Sequence, residues 1–178
     1  MPRIPYQPLD LAEPKAVVDT VRARRGGTLL NLDRMLLHSP AFAKGWNAFL
    51  GEVRNNLELS PRLRELAMCQ VALLNGADYE FHHHAPEYLK AGGTQAQLDA
   101  LRGLADEADA FDANERAIMA LIRAITVDVE VDDDIFAVAH AALANEQLVV
   151  ELVGVTATYN MVSRFLVALG VAPEEEGK

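Results

Sequence analysis

An apolar run near the middle of this 178-residue chain, from Leu66 to Leu74, constrains the fold more than any other feature. Gln70 is the only polar side chain in that run, so a helix over these residues is hydrophobic on almost every side. Such a helix must be buried over most of its surface, and it fixes the position of whatever is attached to its ends. The start signal at Ser60 and the glycine at Gly76 predict that this central helix lies between them.

Further helix start signals recur along the chain, and Asp78 can cap a helix that runs through Ala91. Thr94 with Gln97 forms a capping box before a short helix. Asp112 with Glu115 forms another, before an apolar segment that ends near Val127. No sustained alternation of apolar and polar residues indicates a sheet. The sequence therefore predicts an all-α fold.

Proline and charge set the predicted boundaries. Three prolines within residues 1–13 predict an extended N-terminal arm, and the acidic end of the chain predicts a charged tail over 173–178. Residues 14–172 are then one helical domain. Its final helix is apolar over more than half its surface, so we expect it to pack partly against another copy of the chain. The protein is therefore expected to be a homo-oligomer.

Composition excludes several classes of function. With a net charge of −10, the protein lacks the excess of basic residues that is typical of nucleic-acid-binding proteins. The polar, proline-rich N-terminus resembles no export signal, and no uninterrupted apolar run approaches the ~18 residues of a membrane span, so we expect a cytoplasmic protein without a membrane partner. The single cysteine, Cys69, has no disulfide partner, and its apolar surroundings predict a buried, unreactive thiol.

Ionisable side chains crowd the segment just after the central helix. Glu80 and His84 are four residues apart and share one face of a helix, where a carboxylate can fix the tautomer of an imidazole and raise its basicity. An exposed ion pair of little energetic value is the alternative interpretation. The three consecutive histidines at 82–84 point in different directions around a helix, so they cannot all bind one metal ion, and we predict no metal site.

These residues carry a family resemblance. The stretch RELAMCQVALLNGADYEFHHHAPEYLKAGG resembles the signature of the carboxymuconolactone decarboxylase and alkylhydroperoxidase D family, over about residues 40–105. The peroxidase motif of that family is a glutamate, eleven residues, a CxxC pair and a histidine four residues later. Here the glutamate is Glu65, the cysteine positions hold Ala77 and Glu80, and the histidine is His84. The spacing is kept and both thiols are missing.

The resemblance implies an alkylhydroperoxidase D-like bundle of about seven to nine helices that assembles as a dimer to hexamer. It also implies a cofactor-free enzyme of the decarboxylase branch, which performs proton-transfer chemistry on a small carboxylated substrate such as a lactone. On this reading His84 is the general acid/base, Glu80 is its orienting partner, and Glu65 is a relay on the central helix.

An anionic substrate needs a cation in so acidic a protein. Arg164, in a polar break of the apolar final helix, is the main candidate for binding the substrate, and Tyr79 and His83 are weaker ones. A structural ion pair between Arg164 and a carboxylate such as Glu65 is the alternative. Two other functions stay open: the antioxidant peroxidase activity of the family, which the missing thiols argue against, and a non-catalytic helical oligomer.

Overall fold

The computed structural model describes residues 1–174, apart from the side chains of residues 107 and 108. Within these residues there is no strand, and the all-α prediction is confirmed. Nine helices of six or more residues and one four-residue turn follow each other: α1 Lys15–Arg24, α2 Asn31–Leu36, α3 Pro40–Asn55, α4 Pro61–Leu74, α5 Asp78–Lys90, α6 Gln95–Leu101, the turn α7 Glu107–Ala110, α8 Ala113–Val127, α9 Asp133–Leu143 and α10 Glu146–Leu169.

Local hydrogen bonds explain where the central helix starts and stops. The hydroxyl of Ser60 accepts the backbone N–H of Leu63 at 3.3 Å, which satisfies one of the free donors at the start of α4. Gly76 follows the end of α4 and has a φ of 63°. This left-handed conformation commonly ends helices, and glycine adopts it most easily. Ala77 then precedes α5 as its cap residue, so the expectation that Asp78 caps this helix is wrong, and Asp78 is the first helical residue.

Both predicted capping boxes form. Thr94 Oγ1 accepts the Gln97 N–H at 3.2 Å, and Gln97 Oε1 accepts the Thr94 N–H at 3.0 Å. The same pair of bonds joins Asp112 and Glu115, at 2.8 and 3.1 Å. These reciprocal bonds fix the starts of α6 and α8, two of the helices that pack beside α4.

The chain divides into two compact units, one over Leu57–Phe165 and one over Met1–Asn56 with the residues from Leu166 onward. In the first unit α4 lies at the centre and packs against α5, α6 and α8, while α8 pairs with α9. A continuous apolar core joins these helices, and its buried members are Leu66, Cys69, Ala72, Ala77, Phe81, Ala85, Tyr88, Leu98, Ala100, Phe111 and Met119.

In the second unit α3 packs against α1 and α2. Asp33 is buried there and is held by Arg24 and Arg25 at 2.9 and 3.0 Å. Residues 1–13 contain no helix, and Arg22 donates to the Leu9 carbonyl of this arm at 2.6 Å. The single domain over 14–172 stays a prediction, and residues 175–178 of the predicted tail lie outside the described residues.

The last helix, α10, is 24 residues long and apolar enough to cross a membrane by length and composition. Half of its most apolar 18-residue window is buried inside the protein, as in the core helix of a globular domain. Length and composition are therefore only a weak indication of a membrane span.

Candidate active site

The central helix α4 holds a glutamate at the border of the core. All residues from Leu66 to Ala72 are buried, which leaves α4 little freedom to shift. Glu65 immediately precedes this buried stretch, and its side chain is 17% exposed. The carboxylate of Glu65 is therefore held by a rigid element while it keeps some contact with solvent.

Helix α5 brings a second carboxylate and an imidazole to the same place. Glu80 and His84 are one helical turn apart, and both are buried. His84 Nδ1 lies 2.7 Å from Glu65 Oε2, and His84 Nε2 lies 3.1 Å from Glu80 Oε2. The structure thus brings Glu65, His84 and Glu80 together, with the imidazole between two carboxylates that approach it from two helices.

This arrangement fixes the number of protons that the three groups hold. A neutral imidazole has one N–H donor and one bare nitrogen, so it can donate to only one carboxylate. Because both ring nitrogens of His84 face a carboxylate oxygen, one further proton is required, either on the ring or on a carboxyl group. The cluster of Glu65, His84 and Glu80, which we call the proton cluster, therefore carries a net charge of about −1 and contains a transferable proton.

Electrostatics place that proton mainly on the ring. Burial by itself lowers the pKa of His84, because it disfavours the charged imidazolium. The interaction with Tyr159 and the hydrogen bonds with the Glu65 and Glu80 carboxylates oppose burial, and together they raise the pKa of His84 well above its usual value of 6.5. The raised pKa of His84 favours the imidazolium, which is the form in which the ring can donate a proton.

An aromatic ring from α10 completes the surroundings of the imidazole. The ring of Tyr159 lies 5.0 Å from that of His84, centroid to centroid, and the two planes meet at 84°. Tyr159 is fully buried. Tyr159 was not among the residues that the sequence predicted for this site. Polar residues interrupting an apolar helix were the one signal that could have found it.

The one thiol near the proton cluster is not reactive. Ala77, at the first cysteine position of the motif, is buried, and Glu80 occupies the second. Cys69 lies in the core of α4, as predicted. Burial raises the pKa of the Cys69 thiol far above its usual value, and the Glu65 and Glu80 carboxylates add to this increase against the opposing charge of Arg102. Cys69 therefore remains protonated and unreactive at physiological pH.

The other predicted site residues are Arg164, Tyr79 and His83, and each has contacts of its own. Arg164 is exposed, and its Nη1 donates to Asn160 Oδ1 at 2.5 Å, so the structural ion pair with Glu65 is not what holds it. Tyr79 is buried and packs against His83, with ring centroids 4.5 Å apart. Of the three consecutive histidines only His84 is buried.

The geometry of the proton cluster does not suit a metal ion. Its two carboxylates lie at opposite nitrogens of one ring, so they do not converge on a common point. Among the residues that the structure describes, no group of three His, Cys, Asp or Glu side chains is arranged to hold a metal.

The family resemblance is confirmed by comparison with known proteins. Residues 40–124 match the model of the carboxymuconolactone decarboxylase family, a longer stretch than the motif alone predicted. No curated protein sequence matches the chain.

Several solved structures share the fold. An uncharacterized peroxidase-related protein from Silicibacter sp. TM1040 is 18% identical, with a TM-score of 0.81 over 98% of this chain and 95% of that one. An alkylhydroperoxidase AhpD core protein from Ralstonia eutropha JMP134 is 17% identical, with a TM-score of 0.81 over 98% and 93%. The debrominase Bmp8, a cysteine-to-alanine variant in complex with 2,3,4-tribromopyrrole, is 16% identical, with a TM-score of 0.80 over 98% and 94%. At these identities the likeness shows the fold alone.

Proposed function

Because residues 40–124 match the model of the carboxymuconolactone decarboxylase family, we propose that this protein is a cofactor-free acid/base enzyme that decarboxylates, or moves a proton on, a small carboxylated lactone. The observation that carries the proposal is the imidazole of His84 between the carboxylates of Glu65 and Glu80, at 2.7 and 3.1 Å. A buried cluster that holds a transferable proton, and whose neighbouring cysteine stays protonated, suits general acid catalysis.

The chemistry of decarboxylation calls for such a proton. When the bond between the ring carbon and the carboxylate breaks, CO₂ leaves and the electron pair passes into the conjugated carbonyl system as an enolate. A proton must then reach a carbon of this enolate. Glu65 is the most exposed member of the proton cluster, at 17% against 11% for His84 and 2% for Glu80. The proton therefore passes from His84 through Glu65 to that carbon, and water restores it to His84.

Glu80 has a different role in this proposal. Its side chain is only 2% exposed, so it meets the ring and not the substrate. A carboxylate there stabilises the imidazolium and keeps Nε2 protonated, so that Nδ1 is the nitrogen that exchanges its proton with Glu65. Glu80 is thus the orienting partner of His84.

The substrate carboxylate requires a cationic anchor, and Arg164 remains our proposed one. A guanidinium has five N–H donors, and the bond to Asn160 uses one of them. Tyr79 and His83, whose rings pack against each other, are the weaker candidates for further contacts with the substrate.

Turnover of carboxymuconolactone tests the proposal. The purified protein is incubated with the lactone in D₂O, and CO₂ release and deuterium in the product are followed by mass spectrometry. We expect CO₂ release together with one deuterium on a carbon of the former enolate. His84→Gln and Glu65→Gln should each lower kcat by about 10² or more, the usual contribution of a general acid. Cys69→Ala is the matched control, and it should turn over like the wild type.

Two results would contradict this function. Lactone that binds to the wild type without CO₂ release or proton exchange, for this compound and for a panel of small carboxylated lactones, would favour the non-catalytic oligomer. Consumption of an organic hydroperoxide that is lost in Cys69→Ala would favour the thiol peroxidase.

A further inference from the structure

We propose that Tyr159 is a positioning residue for the proton cluster, and that its ring holds the His84 imidazole in the plane where both nitrogens meet their carboxylates. The catalytic role of Tyr159 in this inference rests on the proposed function. Its structural basis is independent of any substrate, because it rests on contacts within the residues Leu57–Phe165.

One hydrogen bond to Glu65 and one close polar contact with Glu80 do not by themselves fix an imidazole. The contacts of His84 with Glu65 Oε2 and Glu80 Oε2 define a line through the ring, but the ring can still swing about that line. A swing of a few tens of degrees misaligns both N–H donors, because hydrogen bonds weaken steeply away from linearity. A third contact, against the flat side or edge of the ring, is needed to stop this motion.

Tyr159 makes that third contact. Its ring lies 5.0 Å from the imidazole at 84°, within the range of a favourable edge-to-face aromatic pair. Because Tyr159 is fully buried, with Val155 and Val162 of the same helix face fully buried beside it, its ring has little room to turn. The imidazole therefore packs against a rigid surface.

The residue after Tyr159 fixes the position of α10 relative to α4. Asn160 is buried, and its Nδ2 donates to Thr126 Oγ1 at 3.0 Å. Its Oδ1 accepts from Asn75 Nδ2 at 3.0 Å, just past the end of α4. Asn160 thereby ties α10 to the helix that carries Glu65, and the position of Tyr159 is set relative to the same helix as the carboxylate.

The charged and titratable groups around His84 come from three helices. Glu65 faces it from α4, Glu80 from α5 itself and Tyr159 from α10. The charges of the Glu65 and Glu80 carboxylates raise the pKa of the Cys69 thiol, and the charge of Arg102 opposes this increase. The orientation of His84 decides whether its two ring nitrogens meet both carboxylates.

The ring N–H protons of His84 report this orientation directly. In the wild type we expect two downfield imidazole N–H resonances that vanish in His84→Gln, which assigns them among the five histidines. Tyr159→Phe keeps the ring and should keep both resonances. Tyr159→Leu removes the ring and should broaden or abolish at least one, through solvent exchange at least tenfold faster. Phe111→Leu, which removes a buried ring from the apolar core around α4, is the control and should keep both.

The variants separate this inference from the proposed function. Unchanged resonances in Tyr159→Leu, or their loss in Tyr159→Phe as well, would overturn the positioning role. A wild type without two such resonances would overturn it too, whatever the lactone assay shows. If the resonances behave as expected while no lactone is turned over, Tyr159 positions His84 and the proposed function is wrong. If turnover is observed, Tyr159→Leu should lower kcat about a hundredfold and leave KM within twofold, the pattern of a misplaced catalytic group.

Discussion

Among single side chains, His84 has the clearest link to stability. Its pKa is raised in the folded protein, so the folded state binds the ring proton more tightly than the unfolded chain. The stabilisation is therefore complete below the unfolded pKa of about 6.5 and is lost as the pH rises through the raised folded pKa.

His84→Gln should reveal this pH dependence. At pH 6 the variant leaves two carboxylates close together without their shared cation, and we expect a loss of about 3 kcal/mol in the free energy of unfolding. The difference from the wild type should shrink as the pH is raised to 9, as measured by urea denaturation. His140→Gln is the control, because His140 is 43% exposed and lies 3.8 Å from the exposed Glu146. A loss for His84→Gln that is the same at every pH would contradict the assignment.

The sequence could identify part of this site for a physical reason. Glu80 and His84 are one helical turn apart, so their contact is a local consequence of helix geometry. The motif spacing pointed to Glu65, although its contact with His84 needs two helices to pack correctly. Tyr159 lies far along the chain, and only the packing of α10 brings its ring to the imidazole. No local sequence pattern indicates this contact between Tyr159 and His84.

At the scale of helices and their ends, Gly93 shows a requirement that local patterns do not reveal. A Cβ at Gly93 would lie 2.3 Å from the ring of Tyr88, which is fully buried and cannot move aside. Gly93→Ala should therefore lower the free energy of unfolding by about 2 kcal/mol, as overpacking of a core does. Gly45→Ala is the matched control: nothing lies within 4 Å of its Cβ, and alanine should stabilise α3 by about 0.5–1 kcal/mol. Equal effects of the two changes in thermal unfolding would argue against the close contact.

The Asn160 side chain joins three helices, and its loss should be costly. Besides its bonds to Thr126 and Asn75, its Nδ2 donates to the Thr156 carbonyl at 3.0 Å. Asn160→Ala leaves these buried partners unsatisfied, and we expect a loss of about 2–3 kcal/mol by urea unfolding. Asn55→Ala, at an exposed asparagine that bonds only to the Gly51 carbonyl of its own helix, should stay within about 0.5 kcal/mol of the wild type. A comparable loss in both variants would show that Asn160 does not link the helices.

Helix boundaries were predictable where the signal is local. The capping boxes at Thr94 and Asp112 lie within three residues of the helices that they start, and both form as expected. The turn Glu107–Ala110 has no such signal and was not predicted. The cap of α5 was assigned to Asp78 because its side chain suits that position, but the glycine turn at Gly76 places Ala77 there. Chain geometry decided the boundary against side-chain preference.

At the scale of the whole molecule, the homo-oligomer stays a prediction that the surface of α10 makes specific. Val150, Gly154, Ala157 and Met161 share one face of this helix and are exposed, Val150 by 70% and Met161 by 39%. An apolar face with small residues lets two helices approach closely, whereas the net charge of −10 repels copies of the chain elsewhere. Association through this face should therefore strengthen as salt screens that repulsion.

Sedimentation equilibrium at low and high salt tests this prediction. We expect the wild type to be a dimer or larger and Ala157→Glu to dissociate to monomers, because a buried charge without a partner costs several kcal/mol. Val138→Glu is the matched control: Val138 is 60% exposed on α9, outside the face, so the added charge should leave the assembly intact. A wild type that sediments as a monomer at every salt concentration would contradict the oligomer itself. Equal dissociation of the two variants would instead show that α10 does not form the contact, since charge alone would then account for the effect.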